Sequence, residues 1–231
     1  MQDSKRTVWI AFEGGDGSGK TTIVNRVVDR LREAGVNVHQ SRAPGGTFLG
    51  HQLRQMLVDH QPEMGALTEE LIHAADMAQL CYELSDLPES VQVIVTDRSV
   101  LSSYVYSTYG KQNPRDWENM FYLTERLRTP DAVILLDVDP VVGKRRSSAA
   151  RGKDVIAAYD NESLEFYNRI QQGFHAILGN MSPKTSVRLD TTNYSLDEVE
   201  WLTMIEVWRI LANLGVPYPE QATEAFTVTT T

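Results

Sequence analysis

Gly14-Gly15-Asp16-Gly17-Ser18-Gly19-Lys20-Thr21 fills every fixed position of G-x-x-x-x-G-K-[ST], and the apolar run Val8-Trp9-Ile10-Ala11-Phe12 leads into it. That context predicts a buried strand that stops, glycines that turn the chain, and a helix that opens with Lys20, Thr21 and Thr22. In such a loop the successive backbone N–H groups, from Gly14 through Gly17, Ser18 and Gly19 to the helix start, form an anion cradle. The helix N-terminus adds its partial positive charge. Lys20 then reaches the β- and γ-phosphates of a nucleotide, and the Thr21 hydroxyl is placed to ligate magnesium. A glycine-rich turn without a ligand is the alternative, and the filled positions and correct flanks weigh against it.

Outward from this loop, short β-rich apolar segments at 7–12, 36–41, 91–96, 132–138 and 185–190 alternate with helical stretches. This is the rhythm of a parallel sheet covered on both faces. Helices are expected from the P-loop to about Ala34, from about Thr47 to Val58, and from about Thr68 to Leu84. Near the end of the chain Val199, Leu202, Ile205, Trp208 and Leu211 recur at threes, and Ser195 with Glu198 has the pattern of a capping box. The segment 216–231, rich in Pro, Glu and Thr, reads as a loose tail. The expectation is one α/β domain over 1–215, a three-layer α/β/α P-loop fold around a five-stranded parallel sheet.

Composition narrows the partners. With 22 basic against 31 acidic residues, the net charge of −9 disfavours a broad surface for polymeric nucleic acid or an anionic membrane, so any phosphate site must be local. No apolar run approaches a membrane span, and the start of the chain passes into a strand without an apolar signal core. The single Cys81 cannot form an internal disulfide, and the five histidines lack metal-ligand spacing. A cytoplasmic, reduced protein is expected.

Charges gather where the strands end. The second segment runs into Ser41-Arg42-Ala43-Pro44-Gly45-Gly46-Thr47, at the edge where open α/β sheets bind ligands; it is either a plain turn or a phosphate contact through Arg42. The third ends in Asp97-Arg98, where Asp97 suits magnesium or its water and Arg98 suits a bidentate phosphate clamp; a structural ion pair is the other reading. Between 143 and 154 lie Lys144, Arg145, Arg146, Arg151 and Lys153, either a solvated face or a lid, over about 143–158, that supplies arginine to a transferring phosphoryl group.

These elements resemble the thymidylate kinase family of nucleoside monophosphate kinases over nearly the whole chain, from Phe12-Glu13-Gly14 to Leu189-Asp190-Thr191-Thr192. The resemblance is carried by Asp16 inside the P-loop, by Arg42 to Thr47, by Asp97-Arg98 followed by Ser102-Ser103 and Tyr106, by the basic stretch, and by Glu162 to Arg169. It implies ATP and Mg2+ as cofactors, a deoxynucleoside monophosphate as acceptor with dTMP the leading candidate, and a homodimer. It also implies that Asp16 binds the 3′-hydroxyl of the acceptor and that Arg98 and Arg42 hold its phosphate. Tyr106 would lie under the sugar, with Ser103 beside it on the acceptor side, and Asp190, Thr191 and Thr192 would lie beside the adenine. Arg146 or Arg151 would be the catalytic arginine of the lid, acting with Lys20 and Arg98.

The sequence departs from the family where the base is read. The positions of a stacking phenylalanine and, one turn later, a base-binding arginine are His73 and Met77, which the i, i+4 spacing keeps on one face. Methionine cannot donate to a carbonyl, so the thymine contact is either missing or supplied by another residue. Ala43 stands for the usual glutamate before Pro-Gly-Gly, and Ser99 for the tyrosine after Asp-Arg. The rival readings are a kinase of the same fold for another or modified deoxynucleotide or a nucleoside, and a P-loop switch or binding protein that hydrolyses nucleotide. The Asn-Lys-x-Asp element of guanine-specific switches is absent from the sequence.

Overall fold

Val8–Glu13 (β1) is buried at all six positions because it lies between two other strands with helices over both faces. A computed structural model of the protein describes residues 7–60, 63–113, 127–149 and 162–217. In it β1 is followed by α1 (Lys20–Glu33), β2 (Val38–Arg42), α2 (Phe48–His60), α3 (Ala66–Ser85) and β3 (Val93–Asp97). Then come α4 (Val100–Tyr104), which runs on as a π-helical turn over Val105–Gly110, β4 (Ala132–Asp137), α5 (Pro140–Ala149), α6 (Leu164–Leu178), β5 (Ser186–Asp190) and α7 (Leu196–Asn213). The sheet has the order β2-β3-β1-β4-β5, and each neighbouring pair is parallel. This is the α/β fold expected from the sequence.

The period-2 alternation of strands sorts the core into two layers. Val8, Ile10 and Phe12 point to one face, where they meet Ile23, Val27 and Leu31 of α1 and Met204, Val207 and Leu211 of α7. Trp9 points to the other face and packs with Met77, Leu80 and Leu84 of α3 and Ile94 of β3. On that same side Leu135 of β4 joins Val105, Phe166, Ile170 and Phe174 beneath α6. At the surface, Arg26 and Arg30 of α1 clasp Glu200 of α7 at 2.7 and 2.8 Å, and exposed pairs of this kind contribute little beyond orientation.

The capping box of Ser195 and Glu198 is present at the start of α7. Its buried face, however, is Val199, Thr203, Met204, Val207, Trp208, Ile210 and Leu211, whereas Leu202 and Ile205 are only half-buried. A repeat of three drifts off a helix of 3.6 residues per turn, which moves the middle of the stripe to the edge. The second and third strands begin two residues later than the sequence suggests and end one later, at Arg42 and Asp97. The shift carries both charged residues into the last rung of the sheet, where they are paired with each other.

Candidate active site

The register sets the floor of the site: Phe12 pairs with Asp97 and Asp97 with Arg42, so the start of the P-loop and both charges are level at the carboxyl edge. Above them opens a cavity of about 490 Å3. Its P-loop end is lined by Gly17, Gly19, Lys20, Thr21 and Thr22. Gly17 has φ +76, and a Cβ there would lie 2.0 Å from the Gly143 carbonyl oxygen, so only glycine lets α5 approach the loop. Lys20 is buried and its Nζ donates to the Gly15 carbonyl at 2.8 Å and to Ser18 Oγ at 3.3 Å. Burial, and then Arg98, lower its pKa to about 8. An anionic ligand in the cradle reverses that shift by supplying the charge the ammonium lacks. Gly14 and Ser18 of the loop are buried and do not line the cavity.

The Thr21 hydroxyl donates to Asp97 Oδ2 at 2.5 Å. These are two hard oxygen donors, one from the P-loop helix and one from β3, at the boundary between the two ends of the cavity. They fit a Mg2+ that keeps most of its shell in water and phosphate oxygens. No cluster of three or more His, Cys, Asp or Glu suited to an all-protein metal cage occurs among the described residues.

The opposite end of the cavity is built around Arg98. Its φ is +75, a conformation uncommon outside glycine, and the turn is pinned from both sides. Its backbone N–H donates to Phe12 O at 2.8 Å, while the fully buried Glu13 carboxylate accepts from Ser99 N at 2.7 Å, Ser99 Oγ at 2.6 Å and Ser102 Oγ. Burial raises the Glu13 pKa against the pull of those donors. Ser102 Oγ in turn accepts from Arg98 Nη1 at 2.9 Å, and Arg98 Nη2 meets Asp16 Oδ1 at 2.7 Å and Tyr106 Oη at 3.3 Å. Burial opposes the guanidinium charge, but Tyr106, Asp16 and Asp97 outweigh it and hold the pKa above its ordinary value. Arg98, Asp16 and Tyr106 thus form one hydrogen-bonded unit on the cavity wall, with Ser103 beside it.

Two further cations face this unit. Arg42, at the end of β2, lines the cavity. Arg54 does so as well, its aliphatic stem lying where a Cβ on Gly45 would be, 2.6 Å from Cδ. Burial, then Arg42 and Arg98, push the Arg54 pKa down to about 10. Mutually repelling arginines in one cavity mark a place for an anion. His73, Met77, Glu70, Asp76 and Lys111 complete the wall. Asp76 Oδ1 accepts from Gly45 N at 2.9 Å and so fastens α3 to the Pro44-Gly45-Gly46 turn.

Arg146 lines the cavity, but its guanidinium is engaged: Nη1 donates to Thr191 O at 3.1 Å and Nη2 to Thr192 O at 3.0 Å. Thr191 Oγ1 donates to Asp137 O at 2.9 Å, and Thr192 N donates to Asp190 Oδ1 at 2.8 Å; the Thr192 side chain and then this N–H lower the Asp190 pKa. Asp190, Thr191 and Thr192 flank the P-loop outside the cavity lining, tied to it through Thr191 Oγ1 and Ser18 O. Arg151 and the later part of the lid expected over 143–158 lie outside the described residues. Arg54, Glu70, Asp76 and Lys111 were not legible from the sequence. None sits in a spaced motif, and only the fold brings them to the cavity.

The family model described as Thymidylate kinase matches residues 12–200 of this chain. The chain is 34% identical over 211 residues to a thymidylate kinase of Deinococcus radiodurans, an alignment covering 90% of this chain and 98% of that protein. It is 34% identical over 199 residues to a thymidylate kinase of Finegoldia magna, covering 83% of this chain and 93% of the relative. The crystal structure of a thymidylate kinase from Ehrlichia chaffeensis superimposes with a TM-score of 0.66 at 27% identity, covering 88% of this chain and 98% of that one.

Proposed function

Because the chain belongs to the thymidylate kinase family, we infer that it transfers the γ-phosphoryl group of ATP to dTMP, giving dTDP and ADP. The observation that carries the reading is one cavity with two anion-binding ends: Lys20 and the P-loop at one, Arg42, Arg54 and Arg98 at the other. A hydrolytic switch needs only the first. Transfer between two phosphates needs both, facing each other.

The acceptor phosphate oxygen attacks the γ-phosphorus in line, and the bond to the ADP oxygen breaks. The chain contributes positioning and charge. Lys20 neutralises the donor phosphates, and Arg98 with Arg42 and Arg54 orients the acceptor phosphate. Asp16 and Tyr106, held by Arg98, take the sugar side. Thr21 and Asp97 are the residues that would hold Mg2+ or its water, and the ion would supply positive charge to the donor phosphates. Arg151 is assigned the transition-state charge, because Arg146 is tied to the carbonyls of Thr191 and Thr192.

Exposed apolar side chains on α2 and α3, among them Phe48, Met56, Leu67 and Tyr82, support a homodimer through these helices. Among the described residues no helix is long and apolar enough to cross a membrane. Coupled measurement of ADP release with ATP and each deoxynucleoside monophosphate in turn tests the reaction. Release that requires dTMP supports it, and release independent of any acceptor overturns it in favour of a nucleotide-hydrolysing switch.

A further inference from the structure

We propose that the acceptor base is read by Lys111 and Glu70, with the His73 ring against its face, in place of an arginine on α3. This rests on the reading of the cavity as a dTMP site and concerns which residues select the base. Glu70, His73 and Met77 are spaced i, i+3, i+7, so α3 presents them along one stripe, and all three line the cavity. Met77 is buried among Trp9, Ala43 and Leu80 and offers no N–H. The donor therefore has to come from another element. Lys111 supplies it from the end of the π-helical turn, where its backbone N–H donates to Tyr106 O at 2.9 Å. Its Nζ bridges to Glu69 Oε1 at 2.6 Å, and both side chains are largely buried. An ammonium carries three N–H donors, so it holds Glu69 and can donate to a base carbonyl at the same time.

His73 locates this pair relative to the phosphate. Its ring lines the same cavity one turn of α3 from Glu70, and Glu69, Lys111, Arg98 and Arg54 all act on it, so it lies within electrostatic reach of both the arginines and Lys111. Burial, opposed by Glu69 and reinforced by those three cations, lowers its pKa to about 4, so at neutral pH the ring is an uncharged stacking surface. A nucleotide whose phosphate meets Arg98 and whose sugar meets Asp16 and Tyr106 directs its base past His73 toward Lys111 and Glu70.

The pair matches one pyrimidine edge. Thymine presents O4 as an acceptor beside N3–H as a donor, so Lys111 donates to O4 and Glu70 accepts from N3–H. In the same pose cytosine turns its N4–H2 donor toward Lys111 and its N3 lone pair toward Glu70, and both contacts fail. A buried group left without its partner discriminates more strongly than a lost apolar contact.

The test compares the wild-type protein with Lys111→Met, Lys111→Arg and Glu70→Gln on dTMP, dCMP and N3-methyl-dTMP, with kcat/KM for each acceptor and KM for ATP. Lys111→Met is expected to lower kcat/KM for dTMP by about 10–100-fold through KM, with KM for ATP unchanged, and Lys111→Arg to restore part of the loss. Glu70→Gln is expected to erase the wild-type preference for dTMP over N3-methyl-dTMP and to narrow that over dCMP. Folded variants that keep the wild-type ratios overturn the inference. Should the wild type phosphorylate none of these acceptors, the kinase reading fails instead, and calorimetric binding of dTMP and dCMP to the same variants still decides which residues read the base.

Discussion

Gly143 in the first turn of α5 is the position where one added carbon should reach the reacting centre. A Cβ there would lie 2.7 Å from the Asp16 carbonyl oxygen and 2.9 Å from Val138 Cγ1, while ordinary contact begins near 3.4 Å. Gly143→Ala therefore requires α5 and the P-loop to part by about 0.7 Å, the difference between 3.4 and 2.7 Å. The Asp16 side chain is bonded to Arg98 at 2.7 Å, so the displacement acts on both ends of the cavity. Alanine in a helix interior gains about 1 kcal/mol over glycine, and overpacking costs about 1–3 kcal/mol, so net stability should change by 2 kcal/mol or less. A misplacement of about 1 Å can cost about 100-fold in rate, so a shift of this size should lower kcat by about 10–50-fold. The assay is coupled ADP release at saturating ATP and dTMP, alongside thermal unfolding. Gly65→Ala provides the comparison, because the nearest atom to a Cβ there is Thr68 Oγ1 at 3.9 Å and Gly65 does not line the cavity. A folded Gly143→Ala protein with wild-type kcat would refute the argument that the contact between α5 and the P-loop sets the geometry.

Lys20→Ala should lower turnover by about 100-fold or more while the protein stays folded, because the lost charge acts on the transferring phosphate; near-normal kcat would remove the P-loop assignment. The same lysine sets a pH dependence. With its pKa near 8 in the unliganded protein and raised by bound phosphates, ATP affinity should fall as pH rises through 8, and calorimetry in buffers of different ionisation enthalpy should find proton uptake on binding. Arg151→Ala is expected to act on kcat, whereas Arg146→Ala, which frees the carbonyls of Thr191 and Thr192, is expected to raise KM for ATP; steady-state kinetics of both variants separates the roles. Asp76 has its pKa raised by burial from the ordinary 3.8 to about 6, so its contribution to stability is present below pH 4 and lost as pH rises through 6. At about 1.4 kcal/mol per unit this amounts to about 3 kcal/mol, and Asp76→Asn, which keeps the acceptor for Gly45 N–H, should flatten that part of the pH profile of unfolding; an unchanged profile would discount the carboxylate.

The chemistry at the donor end was legible because it is local. Backbone N–H groups, a lysine and a hydroxyl within eight residues, Gly14 to Thr21, make a phosphate cradle wherever a strand precedes them and a helix follows. The strand-and-helix rhythm likewise fixes a parallel sheet, since buried parallel strands must be apolar on both faces. The acceptor end is assembled from distant pieces. Arg42 and Asp97 become neighbours only through the register of β2 and β3, and Glu13 reaches Ser99 and Ser102 across 86 and 89 positions of chain. Arg54 enters because Gly45 leaves room for its stem, and Lys111 because the π-helical turn ends beside Glu69. A lone arginine, lysine or glutamate in a helical segment carries no spacing signal. Burial, charge neighbours and cavity walls are properties of side chains converging from separate elements, so they existed only once the sheet had placed those elements side by side.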